Sequence, residues 1–170
     1  QSHWPWRHLL LPAGGPLVNV SDTPSAFAPE KTRQVRYLFL QDAWTLSGNL
    51  ELTAGARYDH YSDFGGALNP RLALVWQSAD RLTTKLMYGE AFRAPSYLEL
   101  YAPTANSTPN PDLAPETSRT WGLSFAYSAS RDLKLGLDLY QFEQFNLITK
   151  DASKQYQNMC GNTTQGIELE

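Results

Sequence analysis

From residue 35 onward, apolar side chains recur at every second position, the period of a β-strand with one greasy face. Leu50, Leu52, Ala54, Ala56 and Tyr58 fall in one phase, and Glu51, Thr53, Arg57 and Asp59 in the other. Likewise Leu72, Leu74 and Trp76 oppose Arg71, and Leu82, Leu86, Tyr88 and Phe92 oppose Lys85 and Arg93. Further along, Trp121, Leu123, Phe125 and Tyr127 oppose Ser118, Thr120, Gly122 and Ser124, and Leu133, Leu135, Leu137 and Leu139 oppose Lys134 and Asp138. Glu90 and Arg119 are the charges that fall in the apolar phase of these strands. Between Val35 and Leu46 the alternation fails: Leu38, Leu40, Trp44 and Leu46 share a phase with Asp42, while Val35, Tyr37 and Phe39 hold the other. Neither face of that strand is assigned by the pattern. The chain is therefore expected to be all-β, an antiparallel up-and-down meander of about seven long strands.

The connections decide what the apolar phase faces. Short turns are predicted at Ser47-Gly48-Asn49, Ser78-Ala79-Asp80 and Ser128 to Asp132, and longer links at Ser62 to Leu68, Ala94 to Pro115 and Thr149 to Gln157. Short and long links alternate, as they do in outer-membrane barrels, where the short turns are periplasmic. A sandwich would not sort them so. Leu50 to Tyr61 and Leu82 to Phe92 also meet the roughly 9 to 11 residues that a tilted strand needs to cross a bilayer. Trp44, Trp76 and Tyr127 lie close to predicted short turns, where an interfacial aromatic girdle belongs. Residues 1 to 34 carry Pro, Gly and Ser without a sustained period and are expected to be an extracellular loop.

Composition adds exclusions. Of 170 residues, 42% are hydrophobic and 18% charged, an ordinary globular balance. No apolar run approaches the ~18 residues of a membrane-spanning helix, and the Leu9 to Leu11 patch is too short and wrongly flanked for a signal peptide. The mean hydropathy of -0.43 is compatible with a barrel, whose strands average out to mildly polar. A net charge of -3, with 14 scattered Lys and Arg residues, argues against nucleic acid as a partner. The single cysteine, Cys160, can make neither an internal disulfide nor a thiolate metal site. Gln1 is not an initiator and Glu170 falls inside a strand-like pattern, so the sequence reads as a fragment.

Little in the chain suggests catalysis. His3, His8 and His60 lack zinc spacing, and no nucleophile elbow, phosphate-binding glycine loop or paired-cysteine motif is present. No enzyme activity, metal or cofactor is expected. The polar phase carries Arg57, Asp59, Arg71, Lys85, Arg93 and Asp138, with Glu51, Lys134, Glu168 and Glu170 beside them. These are read as lumen-facing structural charges, a solvated wall with cross-strand ion pairs in preference to a surface that hydrogen-bonds a domain filling the lumen, and they are no evidence of a substrate site. Binding residues concentrate on long loops, which makes Tyr97, Glu99, Tyr101, Asn106 and Asn110 the candidate ligand contacts. For any one of them, a loop merely stiffened by Pro95, Pro103, Pro109, Pro111 and Pro115 accounts for the composition equally well.

One run is more specific than these patterns. Tyr88-Gly89-Glu90-Ala91-Phe92-Arg93-Ala94-Pro95-Ser96, then Glu99-Leu100-Tyr101, then Asn110-Pro111-Asp112-Leu113-Ala114-Pro115-Glu116-Thr117-Ser118 resembles the signature of TonB-dependent outer-membrane receptors. Leu38 to Trp44, Thr53 to Asp59, Asn69 to Leu74, Asn146-Leu147-Ile148, Tyr156-Gln157-Asn158 and Gly166 to Glu170 are similar to further stretches of that family, in the same order. The resemblance covers residues 35 to 170, read as a partial receptor barrel without its plug domain or C-terminal strands. It implies an incomplete segment of a barrel of about 22 strands in the bacterial outer membrane. It also implies outer-membrane lipid, a small-molecule ligand and, through the plug, TonB and the inner-membrane energising complex as partners. The implied activity is active uptake of a scarce ligand such as an iron-siderophore, haem or cobalamin. A passive porin-like barrel, or a soluble β-sandwich binding module, is the alternative.

Overall fold

A computed structural model describes residues 32–170 and, for the backbone, 13–21. Eight strands form one antiparallel sheet in chain order: β1 (Ala13–Ser21), β2 (Thr32–Ser47), β3 (Leu50–Tyr61), β4 (Gly65–Ala79), β5 (Leu82–Arg93), β6 (Glu116–Ser128), β7 (Lys134–Phe145) and, after a two-stranded ribbon of β8 (Leu147–Lys150) and β9 (Tyr156–Met159), β10 (Asn162–Leu169). One helix, α1 (Tyr97–Tyr101), interrupts the link from β5 to β6. The meander is as expected, and β1 and the ribbon are additional to it.

Strand register settles the faces that periodicity left open. Leu38, Leu40 and Trp44 of β2 stand opposite Tyr58, Ala56 and Leu52 of β3, so they join the apolar face, and Asp42 joins it opposite Ala54. Tyr37 and Phe39 stand opposite Asp59 and Arg57, on the polar face. There the rings of Tyr37 and Phe39 cover the guanidinium groups of Arg57 and Arg71, at 4.5 and 4.7 Å from ring centroid to Cζ. Such cation–π contacts are worth about 0.5–1 kcal/mol where exposed. Tyr37 and Phe39 on the polar face thus each have a cationic partner, and their presence there blurs the alternation.

Three predicted connections are corrected. The loop expected over residues 1 to 34 contains β1 and the start of β2; residues 1–12 and 22–31 lie outside the described residues. Gly14-Gly15-Pro16 hides β1 from a period search, and the register shift between Gly15 and Val18 takes up the proline at a bulge in an edge strand. The link expected over Ser62 to Leu68 shrinks to a tight turn, because Gly65 to Leu68 continue β4, paired with Tyr61 to Tyr58. Two glycines there carry no side chain to alternate, and the Tyr58 ring occupies the space at Gly66 that a Cβ would fill. The loop expected over Thr149 to Gln157 is the tip of the β8–β9 ribbon, separated from β7 by Asn146 in the left-handed conformation (φ 55).

Pairing of β4 with β5 stops at Arg71↔Gly89, next to Pro70, which has no N–H to give to a ladder. Above it the seam opens into a recess of about 360 Å³ bordered by Arg57, Asp59, Tyr61, Asn69 and Phe92. Just before β10, at the loop end of the sheet, Gly161 packs so closely on Gln144 that an added Cβ would overlap backbone atoms of Gln144 and crowd Phe145. Gly161→Ala is expected to cost about 1–3 kcal/mol through overpacking. Denaturant unfolding of the full-length protein in detergent will read this as a lowered midpoint; an unchanged midpoint would mean that the approach of β10 to β7 is looser than described.

Candidate functional site

The loop end of the sheet carries a folded cap. Ser96 and Glu99 close a capping box on α1: Glu99 N–H donates to Ser96 Oγ (3.3 Å), and Ser96 N–H donates back to Glu99 Oε2 (2.7 Å). Leu100, Ala102 and Leu113 are buried beneath the cap, giving the loop a small core of its own. Lys154 O and Thr108 O accept from the N–H groups of Thr108 and Tyr156, joining this loop to the ribbon. Asn110 Nδ2 donates to Tyr156 O (2.9 Å), and Asn158 bonds both N–H and C=O of Ala114. The loop over residues 94–115 and the β8–β9 ribbon are therefore one body.

Two arginines fasten this body to the strands. Arg33 at the top of β2, 8% exposed, donates to Asp63 (2.8 Å) and to Pro95 O (2.8 Å), with the rings of Tyr61, Phe64 and Tyr97 around its guanidinium at 5.0–5.7 Å. Arg93, just past the stretch of β5 long enough to span a bilayer, forks onto Glu116 (2.7 and 2.8 Å) and reaches Glu99 (3.1 Å). Glu116 in turn accepts from Ile148 N–H of β8 (2.8 Å). The bond from Arg93 holds the Glu116 carboxyl below its usual range against the opposing effect of burial. Burial disfavours the Glu99 carboxylate, but the bonds from Arg93 and Ser96 outweigh it and its pKa is also lowered. The Arg93 guanidinium is held charged most by Glu116.

Because both folded carboxyl pKa values are depressed, the anchoring they provide is complete above the ordinary carboxylate value and is lost as pH falls through the lowered ones. Hydrogen exchange in α1 and β8, corrected for intrinsic rates, is expected to be flat from about pH 7 to 5 and to rise only below about pH 4.3. Loss of protection already between about pH 7 and 5 would assign the anchoring to other groups.

Of the candidate contacts, Tyr97 lies against Arg33 and 6.2 Å from the Tyr101 ring, Glu99 is committed to Arg93 and Ser96, and Asn110 is committed to Tyr156 and Gln157. Asn106 is exposed, and its C=O accepts from Lys150 Nζ (3.2 Å). Tyr101 is half-buried in the same cap. Arg57, Asp59, Arg71, Lys85, Arg93 and Asp138 all share the polar face. Arg57 is bonded to the buried Asp59 (2.7 Å), Arg71 to Gln41, and Lys85 and Asp138 both stand opposite Ser124. Arg33 went unrecognised in the sequence, since its partners are 30 and 62 positions away. The Ser96-x-x-Glu99 spacing was the visible sign of α1. Among the described residues, no cluster of three or more His, Cys, Asp or Glu could hold a metal.

Comparison with known proteins places this geometry. Residues 5–170 match the family described as TonB dependent receptor-like, beta-barrel. The iron-regulated outer membrane virulence protein of Vibrio cholerae is 33% identical over 128 residues, covering 72% of this chain and 19% of that protein. The hemin receptor of Yersinia pestis is 30% identical over 195 residues, 98% of this chain and 28% of that protein. The chain thus spans between about a fifth and just over a quarter of the length of these relatives. The crystal structure of the siderophore receptor PirA from Pseudomonas aeruginosa superposes with a TM-score of 0.77 at 25% identity, covering 85% of this chain and 29% of that one. The chain belongs to the TonB-dependent receptor-like β-barrel family, and its eight-stranded sheet is an unclosed arc of an outer-membrane barrel.

Proposed function

We propose that this chain is part of an outer-membrane receptor for active, TonB-driven uptake of a scarce ligand such as an iron-siderophore, haem or cobalamin. In this reading the apolar face meets lipid, and Arg57, Asp59, Arg71, Lys85, Arg93 and Asp138 line the lumen, where a plug domain would dock. Residues 35–170 are barrel wall, and the cap around α1 and the ribbon is extracellular. The observation that carries it is the joined cap at one end of long strands: a preorganised surface there suits capture of a solute too dilute to reach a pore by diffusion. Relatives support the class of cargo, being named a hemin receptor and, at 32% identity over 120 residues, the vitamin B12 transporter BtuB of Vibrio cholerae. Tyr101 and Asn106 are the candidate contacts best placed to meet a ligand; Tyr97, Glu99 and Asn110 act by holding the cap.

Uptake of labelled ferric siderophore, haem and cobalamin by cells carrying the full-length gene, with and without tonB, tests this. Accumulation of one of these only in tonB-positive cells is expected. Entry independent of TonB would favour a passive porin-like barrel, and a monodisperse full-length protein that melts cooperatively without detergent would favour a soluble module.

A further inference from the structure

Arg71 is held in place by its neighbours but neutralised by none of the described residues. Its side chain lies across β3 over Gly55, where an added Cβ would meet Arg71 Nε at 3.3 Å. From there it reaches β2, where the Phe39 ring covers the guanidinium (4.7 Å) and Gln41 Oε1 accepts from Nη2. Gln41 is a neutral partner that takes one N–H group, and among the described residues no carboxylate pairs with Arg71. Arg57 stands diagonally across from it on β3, about 7–8 Å away at Cβ. Asp59 takes Nε and Nη2 of Arg57, while Nη1 has no acceptor among the described residues. Both arginines, with Phe39, Asn69 and Glu90, border a recess of about 370 Å³. It lies inside the sheet, between β2 and β5, with further paired strands on either side.

We propose that Arg71, Arg57 and Asn69 form a lumen-side site for a carboxylate, an inference that rests on the polar face lining the lumen. A guanidinium carries five N–H donors in a planar fork that matches a carboxylate, and most of those on Arg71 point to no protein acceptor among the described residues. The Asn69 carboxamide, level with Arg57 in the register, also has no described partner and adds a neutral donor. Glu90 does not supply the missing charge, because its carboxylate is bonded to Tyr88 and Arg119, which lie on the apolar face. The Phe39 ring, Gln41 and the space over Gly55 fix the Arg71 side chain before any anion arrives, so little ordering remains to be done on binding. Such a carboxylate is carried either by a dissolved ligand or by an acidic side chain of the plug.

Two measurements on the full-length receptor in detergent separate these sources. Titration calorimetry with succinate, and with uncharged succinamide as its control, reads the dissolved source. Binding of succinate but not succinamide is expected, about tenfold weaker in Arg71→Gln and unchanged in Lys85→Gln, which removes a charge from the same face outside the recess. Hydrogen exchange of plug peptides reads the other source: with a plug carboxylate in the site, succinate does not bind, and Arg71→Gln speeds plug exchange about tenfold where Lys85→Gln does not. The site is overturned if neither succinate binding nor plug exchange responds to Arg71→Gln, or if Lys85→Gln matches it in the assay that responds. Heat-modifiable mobility checks assembly, and Arg71→Lys, which keeps the charge and loses the fork, carries the same test should Arg71→Gln not assemble. Failure of the face assignment would show separately, as normal assembly of Leu123→Arg in the outer membrane.

Discussion

Leu123→Arg is expected to keep the full-length receptor from accumulating in the outer membrane, while Ser124→Arg one residue away leaves assembly near normal. Leu123 lies midway along β6 on the apolar face, flanked by Leu86 and Leu139 in register. Arginine at that depth costs about 2–4 kcal/mol in a barrel, a large part of the 5–15 kcal/mol that typically separates folded from unfolded protein. Ser124 points the other way, between Lys85 and Asp138, where another cation has a carboxylate beside it. Quantifying the heat-modifiable folded band in outer-membrane fractions distinguishes the two. Equal assembly of both variants would mean that the sheet has no lipid side.

Arg33→Leu is expected to release the cap while the barrel stays intact. The substitution leaves Asp63, whose side chain is 13% exposed, without its ion pair, and strands the C=O of the fully buried Pro95. Removing one partner of a buried pair costs about 3–5 kcal/mol, so opening of the loop over residues 94–115 should become at least on the order of a hundredfold more frequent. Hydrogen exchange of peptides spanning 61–66 and 96–113 measures it, with the exposed Arg36→Leu as a control that should change neither. Ligand affinity should weaken alongside if the cap is the capture surface. Unchanged protection in Arg33→Leu would reassign the hold on the cap to Arg93 alone.

The strands were legible because each polar residue on one face costs little only if it avoids lipid, and that constraint writes period 2 into β3, β5 and β6. It fails where chemistry is local. Tyr37 and Phe39 shield arginines, so β2 looks apolar on both sides. Gly65 and Gly66 lengthen β4 without side chains that could alternate, and Gly14-Gly15-Pro16 mask β1 in the same way. At five residues α1 is too short for a helical period, although its capping box was written in plain sight. The candidate contacts were chosen by residue type on an extended loop. Folding that loop on Leu100 and Leu113 sets Glu99 against the nearby Arg93 and Ser96 and Asn110 against Tyr156, 46 positions on, contacts that residue type alone does not announce.

Spin-label accessibility along β6 tests the central reading most directly. Labels placed singly at residues 120 to 125 of the full-length receptor in lipid bilayers, in a Cys160→Ser background that removes the exposed native thiol, report oxygen and water-soluble nickel collisions. Oxygen accessibility is predicted to peak at 121, 123 and 125 and to fall at 120, 122 and 124. Flat profiles, or peaks at the even positions, would contradict a barrel wall with Trp121, Leu123 and Phe125 turned to lipid.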